Sequence, residues 1–312
     1  MLTVPEILPF FMLIILGYGT GRTQLLGEEG ITVLNRFVVN FAMPALIISA
    51  IAPHPINETF NVKFLIAYLS AELAVYTLSL WIAMRVFSAS LGEAALLGLA
   101  ASWSNVGYMG IAMTDNLFNG WIAPAILATS SDMIIITGIT VLLLEYDHKR
   151  GKLSALPLTL ELTRRVLTHP FILTLVLSLT LSLTKIGIPK VLEPTIIFTA
   201  KAAGPVALFA IGSSLALRTI GGHQKQIIIP IVFKLLVLPF LFWLFASKIL
   251  GLNTNWLIAG IILCSLPTAG SVWVLAQSYG QAVRRVTSII LFSTLLSLLS
   301  LLILLPLLSV AS

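Results

Sequence analysis

Polar residues, glycine and proline interrupt two otherwise apolar stretches of this chain. The interrupting residues are Ser104, Asn105, Val106 and Gly107 in the first stretch and Pro267, Thr268 and Ala269 in the second. Glycine weakens a helix, asparagine competes for backbone hydrogen bonds, and proline lacks a backbone donor. A helix broken in this way exposes free N–H groups, which attract anions. We predict that the two interruptions form a binding site for an anionic substrate; the alternative is a pair of tolerated kinks.

Ionisable and amide side chains also lie inside apolar stretches of the sequence. The members of this set are Arg36, Asn40, Glu72, Asp132, Lys201 and Lys234. An ionisable side chain in the middle of a bilayer costs at least about 2.5 kcal/mol, so each one needs a partner or a water-filled cavity. Three roles fit Lys201. It binds the anionic substrate together with Asn40, it forms an ion pair with Asp132, or it extends its ammonium group to the membrane surface.

Glu72 and Lys234 carry opposite charges inside apolar stretches. We predict that they form a structural salt bridge, because either charge alone is costly in lipid. Asp132 follows a run of hydroxyl residues, and three roles fit its carboxylate. It is a proton relay, a part of a sodium site, or the counter-charge of Lys201.

The composition excludes a soluble fold. Hydrophobic residues make up 58% of the 312 residues and charged residues 10%, whereas a soluble domain carries about 25% charged residues. A bilayer accommodates such a chain only as a helix bundle or a closed barrel, and the apolar runs lack the alternation of barrel strands. The sequence therefore predicts an all-α transmembrane protein.

Ten apolar segments are long enough to cross a bilayer, which takes about 20 residues. They are 4–22, 31–52, 63–87, 92–117, 121–146, 166–184, 191–217, 226–250, 254–279 and 283–308. The two interruptions fall in the fourth and the ninth of these spans.

Basic residues in short loops mark the cytoplasmic side of a membrane protein. The net charge of +6 comes from Lys and Arg residues scattered in ones and twos between the apolar segments. Loops after odd-numbered spans hold eleven of them, and loops after even-numbered spans hold four. We therefore predict a multi-pass protein of the cell membrane with loop 147–165 in the cytoplasm and both termini outside. The same scatter argues against a nucleic-acid partner.

Five spans lie in residues 1–146 and five in residues 166–312, separated by the basic linker 147–165. Because five is odd, a duplicated second half must be inverted relative to the first. Matching residues recur at an offset of 161 to 163. The matched pairs are Pro44 and Pro205, Gly107 and Gly270, and Glu72 and Lys234. The expected fold is ten helices in two inverted five-helix repeats.

Four motifs of the chain resemble the auxin efflux carrier family. They are Asn105-Val106-Gly107-Tyr108-Met109-Gly110-Ile111, Leu266-Pro267-Thr268-Ala269, Ala42-Met43-Pro44-Ala45-Leu46 and Gly204-Pro205-Val206-Ala207-Leu208-Phe209-Ala210-Ile211-Gly212. The resemblance runs along almost the whole chain and is closest to compact prokaryotic members. It implies that the broken helices of the fourth and ninth spans cross, with an organic anion bound beside the crossing. Members often have proline where this chain has Ala112, so a less kinked fourth helix is expected.

We predict a secondary transporter that moves a small organic anion, such as a carboxylate, by alternating access. The rivals are an intramembrane enzyme, with Ser104 or Asp132 as the reactive residue, a sensor that binds a ligand without moving it, and a channel. The channel is disfavoured because the sequence has no obvious continuous polar stripe. The expected partners are the organic anion and membrane lipids, with a homodimer as one option. No cofactor is predicted, and no metal site, because the four histidines lack the spacing of metal ligands.

Overall fold

A computed structural model describes residues 4–55, 59–148, 164, 168, 170–218 and 220–311. Most of the predicted linker 147–165 lies outside these residues. Within them every regular element is helical, and the one β-type pairing is an isolated bridge between Ser104 and Thr268. The predicted all-α class is confirmed.

The helices are numbered in chain order within the described residues. They are α1 Val4–Arg22, α2 Gly27–Ile51, α3 Val62–Arg85, α4 Leu91–Ser102, α5 106–117, α6 Ala123–His148, α7 Pro170–Thr184, α8 Glu193–Ala216, α9 Gln224–Ile249, α10 Thr254–Cys264, α11 Ser271–Tyr279 and α12 Val283–Ala311. Six segments, in α2, α3, α6, α8, α9 and α12, are long and apolar enough to cross a membrane, and α1, α4, α7 and α10 contain shorter apolar helices.

Side-chain caps fix where several of these helices begin. The side-chain oxygens of Asn61, Ser90 and Asn253 accept hydrogen bonds from backbone N–H groups three residues later, at 3.1 to 3.2 Å. These caps satisfy donors that the first turn of a helix leaves unpaired. The apolar sequences of α3, α4 and α10 therefore start their helices at defined residues.

Wide, π-type turns occur inside several helices. Two of them, Val38–Ala42 in α2 and Phe233–Val237 in α9, end two residues before a proline. Proline cannot donate the hydrogen bond that a regular turn needs, and a widened turn is one way to accommodate this loss. The turn Asp132–Ile136 in α6 and the turn in α9 also contain buried charges, Asp132 and Lys234.

The helices form two packed groups. The first group consists of α1, α2, α7 and α8, and the second is built from α3, α4, α6, α9, α10, α11 and α12. Helix α5 lies between the two groups, in contact with α1 and the C-terminal part of α8 on one side and with α6 and α10 on the other. Two internally packed groups move against each other more easily than the helices within one group do. Cavities that bind ligands often lie at such an interface.

The first group is held together by close contact of α1 with α8. A Cβ atom on Gly17 would overlap the carbonyl of Phe209, and one on Gly212 would overlap the carbonyl of Ile14. The Ser213 hydroxyl donates to the Gly17 carbonyl at 3.0 Å. Small residues allow membrane helices to approach this closely.

We expect Gly17→Val to lower the stability of the protein by about 1 to 3 kcal/mol, because the added methyl groups must push α1 away from α8. Gly19→Val is the matched control, since a Cβ there meets nothing within 4 Å. Thermal unfolding of the two purified variants in detergent measures the difference. Equal melting temperatures would show that the close approach is not needed.

Candidate functional site

The two predicted interruptions meet as an antiparallel pair of extended segments. The backbone N–H of Asn105 donates to the Pro267 carbonyl at 2.8 Å, and the N–H of Ala269 donates to the Trp103 carbonyl at 3.1 Å. These bonds flank the bridge between Ser104 and Thr268. We call residues 103–107 and 265–271 the crossing.

Asn105 turns the chain sharply at the crossing. Its φ of −74° and ψ of 53° form an inverse γ-turn, in which the Val106 N–H donates to the Ser104 carbonyl at 2.7 Å. The Asn105 carbonyl then accepts from the N–H groups of Met109 and Gly110, both at 3.0 Å, and so begins the wide first turn of α5. The interruption is thus a defined turn.

Hydrogen bonds to α4 and α12 fix the second segment of the crossing. The Thr268 hydroxyl donates to the Ala100 carbonyl at 2.7 Å, and the Thr268 N–H donates to the Ser293 hydroxyl at 3.1 Å. Thr268 is 1% exposed. Its side chain therefore holds the backbone in place, and nothing in the sequence pattern pointed to Ser293 as its partner.

Free polar groups remain at the crossing. Among the described residues no acceptor is found for the backbone N–H groups of Gly107 and Tyr108, which begin α5, or of Gly270 and Ser271, which begin α11. The side-chain amide of Asn105 also makes no hydrogen bond to the described residues, although the residue is only 4% exposed. Such groups are ready to bind an anion.

A cavity of about 670 Å³ lies between the two helix groups and reaches the crossing. Its walls come from α2 and α8 on one side and from α11, α12 and Tyr108 on the other. The lining residues of polar or charged character are Glu28, Thr32, Asn35, Arg36, Asn40, Tyr108, Ser214, Arg218, Ser271 and Gln277. We call it the large cavity.

Two arginines make the large cavity electropositive. Arg36 is exposed, and the half-buried Arg218 lies with its guanidinium carbon 4.1 Å from the ring centre of Trp273. Burial lowers the pKa of Arg218 to about 10, so the group stays protonated at neutral pH. Glu28 is the acidic residue among those that line this cavity. In the sequence Arg218 is one of the basic loop residues that indicate the cytoplasmic side, and nothing in its spacing pointed to a contact with Trp273.

A second, smaller cavity of about 220 Å³ lies at the opposite ends of α2 and α5. It is lined by Ser49 and Ala50 of α2 and by Asp115 of α5, whereas Asn40 and Tyr108 of the same two helices line the large cavity.

Buried apolar residues lie on α2 and α5 between the two cavities. They include Met43 and Ile111, and a Cβ on Gly204 would lie only 3.0 Å from the Cβ of Ala112. The two cavities thus approach the middle of the protein from opposite ends without joining.

A cluster of buried charged and polar groups lies directly behind the crossing. The Lys234 ammonium donates to the Ser104 hydroxyl at 2.7 Å and to the Cys264 carbonyl at 2.8 Å. The Tyr68 hydroxyl donates to Asp132 at 3.4 Å. Glu72 interacts electrostatically with Asp132 and Lys234. We call Tyr68, Glu72, Asp132 and Lys234 the charged cluster; all four are fully buried.

The predicted Glu72–Lys234 salt bridge is wrong as a direct contact. The ammonium group reaches the crossing instead, and both Glu72 oxygens lack a hydrogen-bond partner among the described residues. The two residues do share one buried cluster.

The structure does not bring Lys201 to the crossing. The side chain is exposed at the break between the two parts of α8, and neither an ion pair with Asp132 nor a position on the large cavity is found within the described residues. Asn40, predicted to act with Lys201, does line the large cavity, and its amide donates to the Arg36 carbonyl at 2.9 Å.

The other predicted site residues lie at the crossing itself. Their backbone or side chains are brought together there. They are Ser104, Asn105, Val106, Gly107, Pro267, Thr268 and Ala269. Ala112 lies inside the regular helical segment Ile111–Leu117.

Comparison with known proteins relates the whole chain to membrane transporters. Residues 2–305 match a family described as membrane transport protein. A protein of Rhizobium meliloti (strain 1021) named "Putative malonate transporter" is 29% identical over 309 residues, which cover 93% of this chain and 91% of that protein. The "Uncharacterized transporter YfdV" of Escherichia coli (strain K12) is 25% identical over 306 residues, covering 94% and 93% of the two chains.

Proposed function

The chain belongs to the auxin efflux carrier family of membrane transport proteins, and from this premise we propose that it carries a small organic dianion, such as malonate, across the cell membrane by alternating access. The substrate binds at the crossing, on the free amides of α5 and α11 and the Asn105 side chain. The proposed fold is the ten-helix arrangement of two inverted five-helix repeats, residues 1–146 and 166–312, joined by the linker 147–165.

The observation that carries this proposal is the pair of cavities at opposite ends of α2 and α5. The larger one reaches Gly270 at the crossing, and the smaller one begins on the other side of a short apolar barrier. Alternating access needs one central site that is open to one side at a time. A movement of the α1, α2, α7 and α8 group against the other helices would close the larger cavity and open the smaller.

The charges of the large cavity support an anionic substrate. Helix N-termini supply partial positive charge at the crossing, and Arg36 and Arg218 supply full charges toward the cavity mouth. A dicarboxylate has two anionic ends, so one can bind at the crossing while the other faces the arginines. The printed name of the Rhizobium relative makes malonate the first compound to test.

The geometry gives the enzyme alternative little support. Ser104 is 0% exposed, and its hydroxyl accepts a hydrogen bond from Lys234. Asp132 is also 0% exposed, and its carboxylate accepts a hydrogen bond from the Tyr68 hydroxyl. A nucleophile or a general acid must reach the reacting atoms of a substrate. These two residues fit the support of the crossing better than catalysis.

We further propose that the large cavity opens to the cytoplasm in this conformation, because its mouth lies at the loops with the higher count of basic residues. In a Cys264→Ser background, an impermeant thiol reagent added to intact cells is expected to label Val191→Cys and to leave Leu25→Cys unlabelled. The two positions are 88% and 75% exposed. Labelling of Leu25→Cys alone would reverse the orientation.

Binding to an arginine variant tests the assignment of the anion site. We expect Arg218→Gln to weaken malonate binding by about fivefold, because a charge contact in water is worth about 1 kcal/mol. Binding of the uncharged analogue malonamide should not change. Calorimetry on purified protein measures both, and Arg85→Gln, which removes an exposed charge away from the large cavity, is the control. Unchanged malonate affinity in Arg218→Gln would contradict this role.

A further inference from the structure

The charged cluster carries an unbalanced charge. With all groups in their ionised forms, Glu72 and Asp132 contribute two negative charges and Lys234 contributes one positive charge. All three side chains are 0% exposed. The other titratable groups that interact with them are the Tyr68 hydroxyl and the Cys264 thiol, both neutral in their protonated forms. The cluster would therefore bury one net negative charge, which is costly in the middle of a membrane protein.

Hydrogen bonding does not compensate this charge. Both oxygens of Glu72 and one oxygen of Asp132 are buried without a partner among the described residues. Lys234 directs its hydrogen bonds to two uncharged acceptors, the Ser104 hydroxyl and the Cys264 carbonyl. Buried carboxylate oxygens almost always have partners in folded proteins, so three such oxygens in one cluster require a further ligand.

One proton is the simplest ligand that meets both requirements. It brings the cluster to neutrality and provides an O–H donor for an unpartnered carboxylate oxygen. A metal ion fits poorly, because the Lys234 ammonium repels it and the described residues contain no group of three or more acidic, histidine or cysteine ligands. We infer that Glu72 and Asp132 together hold one exchangeable proton, and that its occupancy is linked to anion binding at the crossing.

Lys234 provides the physical link between the proton and the anion. Its ammonium group lies 2.7 Å from the hydroxyl of Ser104, which is the residue before Asn105 at the crossing. A substrate anion at the crossing competes for the field of this ammonium group and so favours the protonated cluster. By linkage, the proton must then favour anion binding by the same factor. This second part of the inference rests on the proposed function.

Infrared spectroscopy tests the proton without any substrate. At pH 7 exposed carboxyl groups are ionised, because their pKa values lie near 4, so a protonated-carboxyl C=O band reports a buried group. We expect this band in the reconstituted wild-type protein and its loss in Glu72→Gln and in Asp132→Asn, where the remaining carboxylate balances Lys234 alone. Glu193→Gln, which removes an exposed carboxylate, should keep it. A missing band in the wild type, or one that both cluster variants retain, would overturn the inference.

Calorimetry tests the linkage separately. Malonate binding measured in buffers with different ionisation enthalpies gives the number of protons taken up per anion. We expect proton uptake in the wild type and none in Asp132→Asn. Malonate binding without proton uptake would refute the linkage and leave the proposed function intact. An absence of malonate binding would instead contradict the proposed substrate, while the infrared result would still decide whether the cluster holds a proton.

Discussion

Replacing Asn105 by alanine is expected to lower malonate affinity more than tenfold while the protein stays folded. The Asn105 side-chain amide has no hydrogen-bond partner among the described residues, so its removal breaks no hydrogen bond with them. A hydrogen bond to a charged ligand is worth about 1.5 to 3 kcal/mol, which corresponds to more than a factor of ten. Calorimetry gives the affinity, and thermal unfolding in detergent reports the fold.

Asn116→Ala is the matched control for this prediction. Asn116 lies near the end of α5, the helix that follows Asn105, and is exposed and away from the crossing. We expect it to bind malonate as the wild type does. Wild-type affinity in Asn105→Ala would remove the amide from the site. If Asn105→Ala loses thermal stability together with malonate affinity, Asn105 instead supports the turn.

Replacing Lys234 by methionine is expected to destabilise the protein by about 3 to 5 kcal/mol, the usual cost of leaving a buried charge without its partner. The substitution removes both hydrogen bonds of the ammonium group, to Ser104 and to the Cys264 carbonyl. It also removes the positive charge beside Glu72 and Asp132. The yield of monodisperse protein and its melting temperature measure the effect.

A second substitution distinguishes charge from packing. We expect Asp132→Asn to restore part of the stability lost in Lys234→Met, because only one buried carboxylate then remains. A double-mutant cycle isolates this interaction. Additive losses in the double variant would show that the two residues are energetically independent and that no charged cluster exists in the folded protein.

The crossing was predictable because its signals are local. Glycine, asparagine and proline disfavour a regular helix wherever they occur, so Asn105, Gly107 and Pro267 indicated the breaks without any knowledge of their surroundings. The resemblance to the auxin efflux carrier family then implied that the broken helices cross. The sequence could not give the inverse γ-turn at Asn105 or the support from Ser293, since both depend on which backbone atoms approach each other.

The partners of the charged residues were not predictable in the same way. Glu72 and Lys234 do share one buried cluster, but a lysine side chain is long, and its ammonium group bonds to whichever acceptor lies within reach. One such acceptor was the hydroxyl of Ser104, in the crossing and distant from Lys234 in sequence. Similarly, how far Lys201 and Arg218 are buried depends on how α8 packs against its neighbours. Counting the spans gives the position of such residues along the membrane normal. It does not show which side of the helix they occupy.

Uptake of radiolabelled malonate by proteoliposomes that contain the purified protein tests whether the protein transports malonate through the crossing. We expect saturable accumulation of malonate in the vesicle lumen, well above that of protein-free vesicles, and its loss in Asn105→Ala vesicles but not in Asn116→Ala vesicles. Wild-type vesicles that bind malonate and do not accumulate it would contradict transport and favour a sensor. Equal uptake by the wild type and Asn105→Ala would contradict the crossing as the substrate site.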